Sequence, residues 1–283
     1  MNIPNEEKPV VSINIMGGLG NQMFQLATAY SYARKNNGNL KVPRNKRESD
    51  GRPLYWDSFL SKFNKYLVDS IPDSLAHWHE SGATEYNQIP DLNQNGLFLN
   101  GYLQSPKYFS DTLIQNEIRD LFKPTPDVLH IIQTKYGSLL ENKERVIVVH
   151  ARRTDYLRNQ DIINFHGPLT IEYYKEAIKR MIVKVKNPFF LLSSDDPTFW
   201  LSVISEVPQL YNNCIYILNN EDEINTMALL QQFHYFIIAN STFSWWASWL
   251  SSDVRGIIAP SKWFGPTGPQ NYKDIYLSEW ELI

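Results

Sequence analysis

Val146-Ile147-Val148-Val149-His150-Ala151-Arg152-Arg153-Thr154-Asp155-Tyr156 sets four apolar residues directly ahead of a polar segment with two adjacent arginines. A short apolar run of this kind reads as a strand buried on both faces, as strands of parallel sheets are. Comparable runs recur at Phe189–Leu192, Ile215–Leu218, Phe236–Ala239 and Gly256–Ala259, with helix-like sequence between most of them. That alternation predicts a doubly wound α/β domain, whose ligands sit beyond the carboxyl ends of the strands. The segments that follow the strands are therefore where chemistry is expected.

Outward toward the N-terminus, Val11, Ile13 and Ile15 alternate with Ser12 and Asn14 and read as a strand. Gly17, Gly18 and Gly20 then open a helix of about Asn21 to Lys35, with Met23, Ala27 and Tyr30 on its expected buried face. A second strand is expected at Leu40–Val42, whereas Glu48–Gln94 shows no regular period. Proline in Lys123–Asp127 interrupts helix-compatible sequence, and a helix over Val128–Leu140 leads onward. A chain of 283 residues exceeds what one core usually organises. Two domains are expected, residues 1–135 and 136–283.

Composition narrows the function. A net charge of -3 lacks the basic footprint of a protein that tracks a nucleic-acid backbone, so any bound anion must be met locally. Cys214 is the one cysteine, which excludes an internal disulfide and a zinc site built from several thiolates. Met1–Lys8 is polar, unlike a secretory signal, and no apolar run approaches the roughly 20 residues of a membrane span. A cytoplasmic location is expected.

Four segments carry the chemical signal. Gly17-Gly18-Leu19-Gly20-Asn21-Gln22 is a glycine turn opening a helix, which either binds an anion on free N–H groups or simply solves a tight turn. It lacks the GxGxxG spacing and the lysine of a P-loop. Arg152 and Arg153 supply planar forks of donors suited to phosphate oxygens, or pair internally with Asp155 or another carboxylate. Asn240-Ser241-Thr242-Phe243-Ser244-Trp245-Trp246 follows another apolar run and can present hydroxyls and helix-end N–H groups to phosphate, while Trp246 and Trp249 are expected in the core. Ser193-Ser194-Asp195-Asp196 offers a carboxylate, Asp195, to a ribose or guanine, or a cap to the helix that Pro197 begins.

Taken in this order, GGLGNQ, HARRTDY, SSDD and NSTFSWW resemble the α-1,2-fucosyltransferases of glycosyltransferase family 11. Asn100-Gly101-Tyr102-Leu103-Gln104-Ser105-Pro106-Lys107-Tyr108-Phe109 is similar to a further stretch of that family, with Leu103 where tryptophan is commoner. The resemblance implies a GT-B architecture of two Rossmann-like domains facing a central cleft, the C-terminal one holding GDP-fucose and the N-terminal one serving the acceptor. It implies inverting transfer of L-fucose to the 2-hydroxyl of a terminal galactose in an oligosaccharide or lipid-linked glycan, with GDP-fucose as a substrate and with no metal or cofactor. Fucosyl transfer of another linkage, or GDP-sugar or glycan binding without turnover, stays open as an alternative.

Carried over by motif, Arg152 contacts the β-phosphate and His150 lies near the guanosine. Gly18, Gly20 and Asn21 approach the diphosphate or fucose, and Ser241, Thr242, Phe243 and Ser244 cradle the diphosphate. Arg152, Asp155 and Asn21 form the catalytic set, with Asp155, Asp161 and His166 as candidates for the general base. Relatives often place an aspartate where Thr226 stands, which leaves the guanine contact to Asp222, Glu223 or Asn225.

Overall fold

The computed structural model describes residues 7–44, 52–82, 84–211, 213–218 and 221–283. Most of the Met1–Lys8 stretch and the first residues of Glu48–Gln94 lie outside them. The chain forms two compact units, Met1–Lys123 with Asn271–Tyr276, and Pro124–Gln270 with Leu277–Ile283.

The first unit contains β1 (Val10–Ile13), α1 (Leu19–Lys35), β2 (Asn39–Leu40), β3 (Val42–Pro43), β4 (Leu67–Val68), β5 (Ala76–His79), β6 (Leu97–Asn100) and α2 (Thr112–Leu121). Its main sheet is parallel, in the order β2-β1-β6-β5, and β3 pairs with β4. The single strand expected at Leu40–Val42 is split between two sheets, with the Lys41 N–H donating to the Val11 carbonyl at the crossing.

Helix α1 is buried on nearly every side, not along one stripe. Several of its buried polar side chains find partners, as buried amides and hydroxyls tend to, although Thr28 Oγ1 and Gln22 Oε1 have none among the described residues. Gln22 donates to the Gly17 and Pro53 carbonyls, each at 2.9 Å, Gln25 exchanges two hydrogen bonds with the Met16 backbone, and Ser31 donates to the Tyr108 carbonyl.

The second unit contains α3 (Pro126–Glu141), β7 (Val146–Ala151), α4 (Gln160–His166), α5 (Ile171–Ile182), β8 (Phe189–Ser194), α6 (Phe199–Glu206), α7 (Pro208–Tyr211), β9 (Cys214–Ile217), α8 (Glu223–Leu230), β10 (Tyr235–Ile237), α9 (Thr242–Leu250), β11 (Gly256–Ala259) and β12 (Glu281–Leu282). Among the described residues its strands form one parallel sheet, ordered β9-β8-β7-β10-β11-β12. Counted by appearance within the unit this is 3-2-1-4-5-6, the Rossmann order. All of β7 is buried, with Ile147 and Val149 on the face covered by Trp200, Ile178 and Met181 of the flanking helices, and Val146 and Val148 alternating to the other.

The division at Lys123–Pro124 places all of α3 in the second unit, ahead of the expected 135/136 boundary. The reason is a long-range anchor: Lys135 pairs with the buried Glu221 at 2.6 Å, and the Tyr136 hydroxyl donates to the same carboxylate. Residues Asn271–Tyr276 belong to the first unit, where Lys107 pairs with Asp274 at 2.6 Å and Ser105 donates to the Asp274 carbonyl. Among the described residues no helix is long and apolar enough to cross a membrane.

Gly17 has φ +80°, and a Cβ built there would lie 2.3 Å from Asn21 Nδ2. Both the backbone region and the space require glycine. Gly17→Ala is expected to cost about 1 kcal/mol or more of stability, read as a lowered urea midpoint at constant slope; an unchanged midpoint would show that the turn relaxes freely.

Candidate active site

Strand register delivers two of the sequence motifs to one end of the second sheet. His150 pairs with Ser193 and Ala151 with Ser194, so Arg152 and Asp195 leave their parallel strands side by side. On its other side β7 pairs with β10, which leads into Asn240–Ser244. Because β7 and β10 are the first and fourth strands of the order, their connections depart in opposite directions and open a crevice at the carboxyl ends, where ligands of such sheets bind.

Asp195 organises the loop after β7. It accepts from the Arg153 N–H at 2.7 Å, the Thr154 N–H at 3.1 Å and the Thr154 hydroxyl at 2.5 Å. It does not cap α6: the N-cap is Thr198, and the neighbouring Asp196 accepts from the Thr198 N–H and hydroxyl.

The two arginines then part company. Arg153 turns inward, donating to the Leu169 carbonyl at 3.0 Å with its guanidinium 4.3 Å from the Phe199 ring centroid, a packing role. Arg152 lines a cavity of about 130 Å³ and is gripped by Asp155 through two bonds of 2.8 and 2.6 Å, with Asp195 3.4 Å from Nε. Burial opposes the charge of Arg152, but the Asp155 and Asp195 carboxylates outweigh it and hold the guanidinium protonated above its usual range. The internal pairing and the ligand-facing position therefore coexist in one side chain.

His150 and Phe243 stack across the same cavity, their ring centroids 5.6 Å apart. Burial pushes the His150 imidazole down to about 4, with the Asp195 charge acting against that shift and Arg152 with it. Phe243 sits in the first turn of α9, whose N-cap Ser241 makes no side-chain cap bond, so the positive end of the helix dipole is presented at the crevice. Ser244 instead turns its hydroxyl back to the Ala239 and Ser241 carbonyls, and Trp246 and Trp249 are buried in the core.

Glu221, Glu223 and Thr226 complete the wall on the side of α8. Asp222 and Asn225 are committed to one another at the start of that helix. Glu221 was not legible as a site residue because its position depends on Lys135 and Tyr136, far away in the chain. Burial raises its affinity for a proton, yet the bonds from Lys135 and Tyr136 prevail and keep it ionised below the usual carboxylate range.

Of the candidate bases, Asp155 spends both oxygens on Arg152. His166, half-buried at the end of α4, stacks on Tyr156 with centroids 4.0 Å apart, and burial lowers its proton affinity, Asp155 opposing and Arg152 assisting. Asp161 is exposed in the first turn of α4. Asn240 fixes this region by donating to the His166, Gly167 and Trp263 carbonyls.

In the first unit, Gly18 is the N-cap of α1 and makes no side-chain cap bond, while Gly20 and Asn21 lie in the first turn. Asn21 is held by Gln104, whose amide donates to its Oδ1 at 3.1 Å. Gln104 follows Leu103, a non-glycine residue at φ +55° whose N–H donates to Glu80. Burial pushes the Glu80 carboxyl up to about 7, against the bonds it accepts from the Leu103 and Tyr102 N–H groups and the Tyr108 hydroxyl.

The neutral, buried His150 links stability to pH. An unfolded histidine takes up a proton near 6.5, the folded one only near 4, so the unfolded state binds more protons between them and stability falls as pH drops through that window. His150→Gln is expected to flatten this part of the profile; melting temperatures of wild type and variant that fall in parallel from about pH 6.5 to 4 would overturn the assignment.

The chain is 27% identical over 274 residues to an alpha-1,2-colitosyltransferase of Escherichia coli, covering 90% of this chain and 92% of that protein. It is 27% identical to the O-antigen biosynthesis glycosyltransferase WbnK of Escherichia coli, covering 88% and 93%, and 25% identical to a galactoside 2-alpha-L-fucosyltransferase of Bos taurus, covering 86% and 64%. Among solved structures, an Arabidopsis thaliana FUT1 variant in complex with GDP aligns with a TM-score of 0.57 at 16% identity, over 91% of this chain and 71% of that one. The alpha-1,6-fucosyltransferase NodZ soaked with GDP-fucose aligns at 0.53 and 15%, over 90% and 96%. These likenesses show the GT-B fold. The family model for glycosyl transferase family 11 matches residues 2–283, and it is to this family of glycosyltransferases that the chain belongs.

Proposed function

We propose that the chain transfers L-fucose from GDP-fucose to the 2-hydroxyl of a terminal galactose, inverting the β-linked donor to an α-linked product. The observation that carries this reading is Arg152, oriented by Asp155 into the cavity at the switch point beside the start of α9. An acceptor oxygen forms the bond to the fucose anomeric carbon as the bond to the β-phosphate oxygen breaks, and GDP leaves with the electron pair. Charge accumulates on the departing phosphate, where a preorganised guanidinium and helix-end dipole have the most effect on the barrier.

The acceptor proton needs a base. Asp155 is the first candidate by sequence, but its engagement with Arg152 favours an orienting role, and His166, whose proton affinity burial lowers, is the base proposed in its place. Phosphate charge is met here by protein groups, so turnover is expected without a metal and should survive excess EDTA; loss on chelation restored by magnesium or manganese would contradict this. The proposed setting is the cytoplasm, with an oligosaccharide or lipid-linked glycan as acceptor.

A second donor is favoured by the likeness to the alpha-1,2-colitosyltransferase. Colitose is fucose lacking one ring hydroxyl, so the two donors separate by whether the site hydrogen-bonds that hydroxyl. Turnover is to be compared with GDP-fucose, GDP-colitose, GDP-mannose and UDP-galactose, with product linkage read by NMR. Preference for GDP-colitose would replace the fucosyl reading, and equal use of UDP-galactose would end both.

Arg152→Ala and Arg152→Lys are both expected to lower turnover by about two to four orders of magnitude. Lysine keeps the charge but cannot hold Asp155 and a phosphate oxygen with one planar fork. Arg153→Ala is expected to act through stability by way of Phe199 and Leu169. Near-normal turnover in a folded Arg152→Ala chain would remove the proposed role.

A further inference from the structure

The first sheet carries at its carboxyl edge a row of side chains that the donor chemistry does not use. His79 at the end of β5 pairs in register with Asn100 at the end of β6, and Asn14 follows β1 beside them. Asn14 Nδ2 donates to Asn100 Oδ1 at 3.2 Å, and Asn100 Nδ2 lies 3.1 Å from His79 Nδ1. With the Asn100 amide oriented so that Nδ2 faces His79, that N–H donates, so His79 Nδ1 accepts and the imidazole proton sits on Nε2. Among the described residues two groups are left without a protein hydrogen bond, the Asn14 Oδ1 acceptor at one end and the His79 Nε2–H donor at the other.

Both end residues are exposed. His77, two residues before His79 and on the same face, is exposed as well and lies 5.0 Å from the Phe98 ring and 6.3 Å from His79. The surface thus combines aromatic edges and faces with one outward acceptor and one outward donor, and the row holds no carboxylate, lysine or arginine. A diphosphate would require cations that are absent from the row. A sugar ring fits, because its C–H face packs on aromatic rings and each hydroxyl both donates and accepts. The position also matches: β2 lies on one side of β1 and β6 on the other, so Asn14 and Asn100 flank the switch point of this sheet, as Arg152 and Ser241 flank that of the second.

We infer that the Asn14–Asn100–His79 row, with the His77 and Phe98 rings, is a subsite for a neutral hexopyranose of galactose type, the acceptor of the transfer reaction. The inference rests on the proposed transfer to a galactose-terminated glycan. It is tested with the full chain by saturation-transfer NMR using lactose and methyl β-D-galactopyranoside, on wild type, Asn14→Ala and His79→Ala. GDP calorimetry, thermal melts and sedimentation of the same samples serve as controls.

Both sugars should receive saturation from the wild type, and each substitution should weaken their binding about three- to tenfold, as loss of one neutral hydrogen bond does. GDP affinity and melting temperature should not move. No transfer to either sugar on the wild type, or unchanged affinity in both variants, would overturn the subsite. So would a fall in melting temperature with sugar affinity intact, which would make the row an internal ladder, or loss of a wild-type dimer, which would make it an interface between copies. A chain that binds both sugars through this row yet releases no GDP from GDP-fucose in their presence would fault the donor reading and leave the subsite standing.

Discussion

The carboxylate of Asp195 is the constraint on which the crevice of the second sheet depends. By taking the N–H groups of Arg153 and Thr154 together with the Thr154 hydroxyl, it fixes the backbone that leaves β7 and thereby decides that Arg152 faces the cavity and Arg153 the core. Charge-assisted bonds to backbone N–H groups are among the stronger ones a protein makes, and here they span adjacent parallel strands. Asp155 then fixes the guanidinium in two directions at once. Two carboxylates in the immediate surroundings of one arginine hold it cationic in a partly buried setting that would otherwise disfavour charge.

The parallel sheets could be read from the chain because buried strands leave short apolar runs, and the motifs behind β7, β8 and β10 could be read because such folds place ligands there. Local pattern also places the strand ends within a residue or two: β8 continues past Leu192 to Ser194, and β10 stops at Ile237, after which Tyr173 takes the Ile238 carbonyl. What local pattern does not contain is partnership across the chain. Glu221 joins the cavity wall, and α3 joins the second unit, through contacts to Lys135 and Tyr136 some 86 and 85 residues away. Likewise, that α1 is buried all round follows from carbonyls supplied by Gly17, Met16, Pro53 and Tyr108, which no helical period reveals.

Polar residues of the sequence motifs divide in the structure between those that face the crevice and those that build it. Asn240 belongs to the second kind, its amide spent on three carbonyls, and Ser244 returns its hydroxyl to the turn that precedes its own helix. Gly167 and Gly265 approach so closely that a Cβ on Gly167 would lie 2.9 Å from the Gly265 backbone, which seats α4 and its terminal His166 against the segment after Trp263. Such contacts explain why a motif can be spelled with reactive residue types while only part of it meets a ligand.

The strand order has a mechanical side. Strands β7, β8 and β9 form one half of the second sheet and β10, β11 and β12 the other, and among the described residues the strand pairing that joins the halves is β7–β10 alone. The crevice opens over that seam, with Arg152 contributed by one half and α9 by the other. A ligand held by both acts as a rivet across the seam, so part of its binding free energy becomes resistance of the sheet to parting there, and occupancy and sheet integrity rise and fall together.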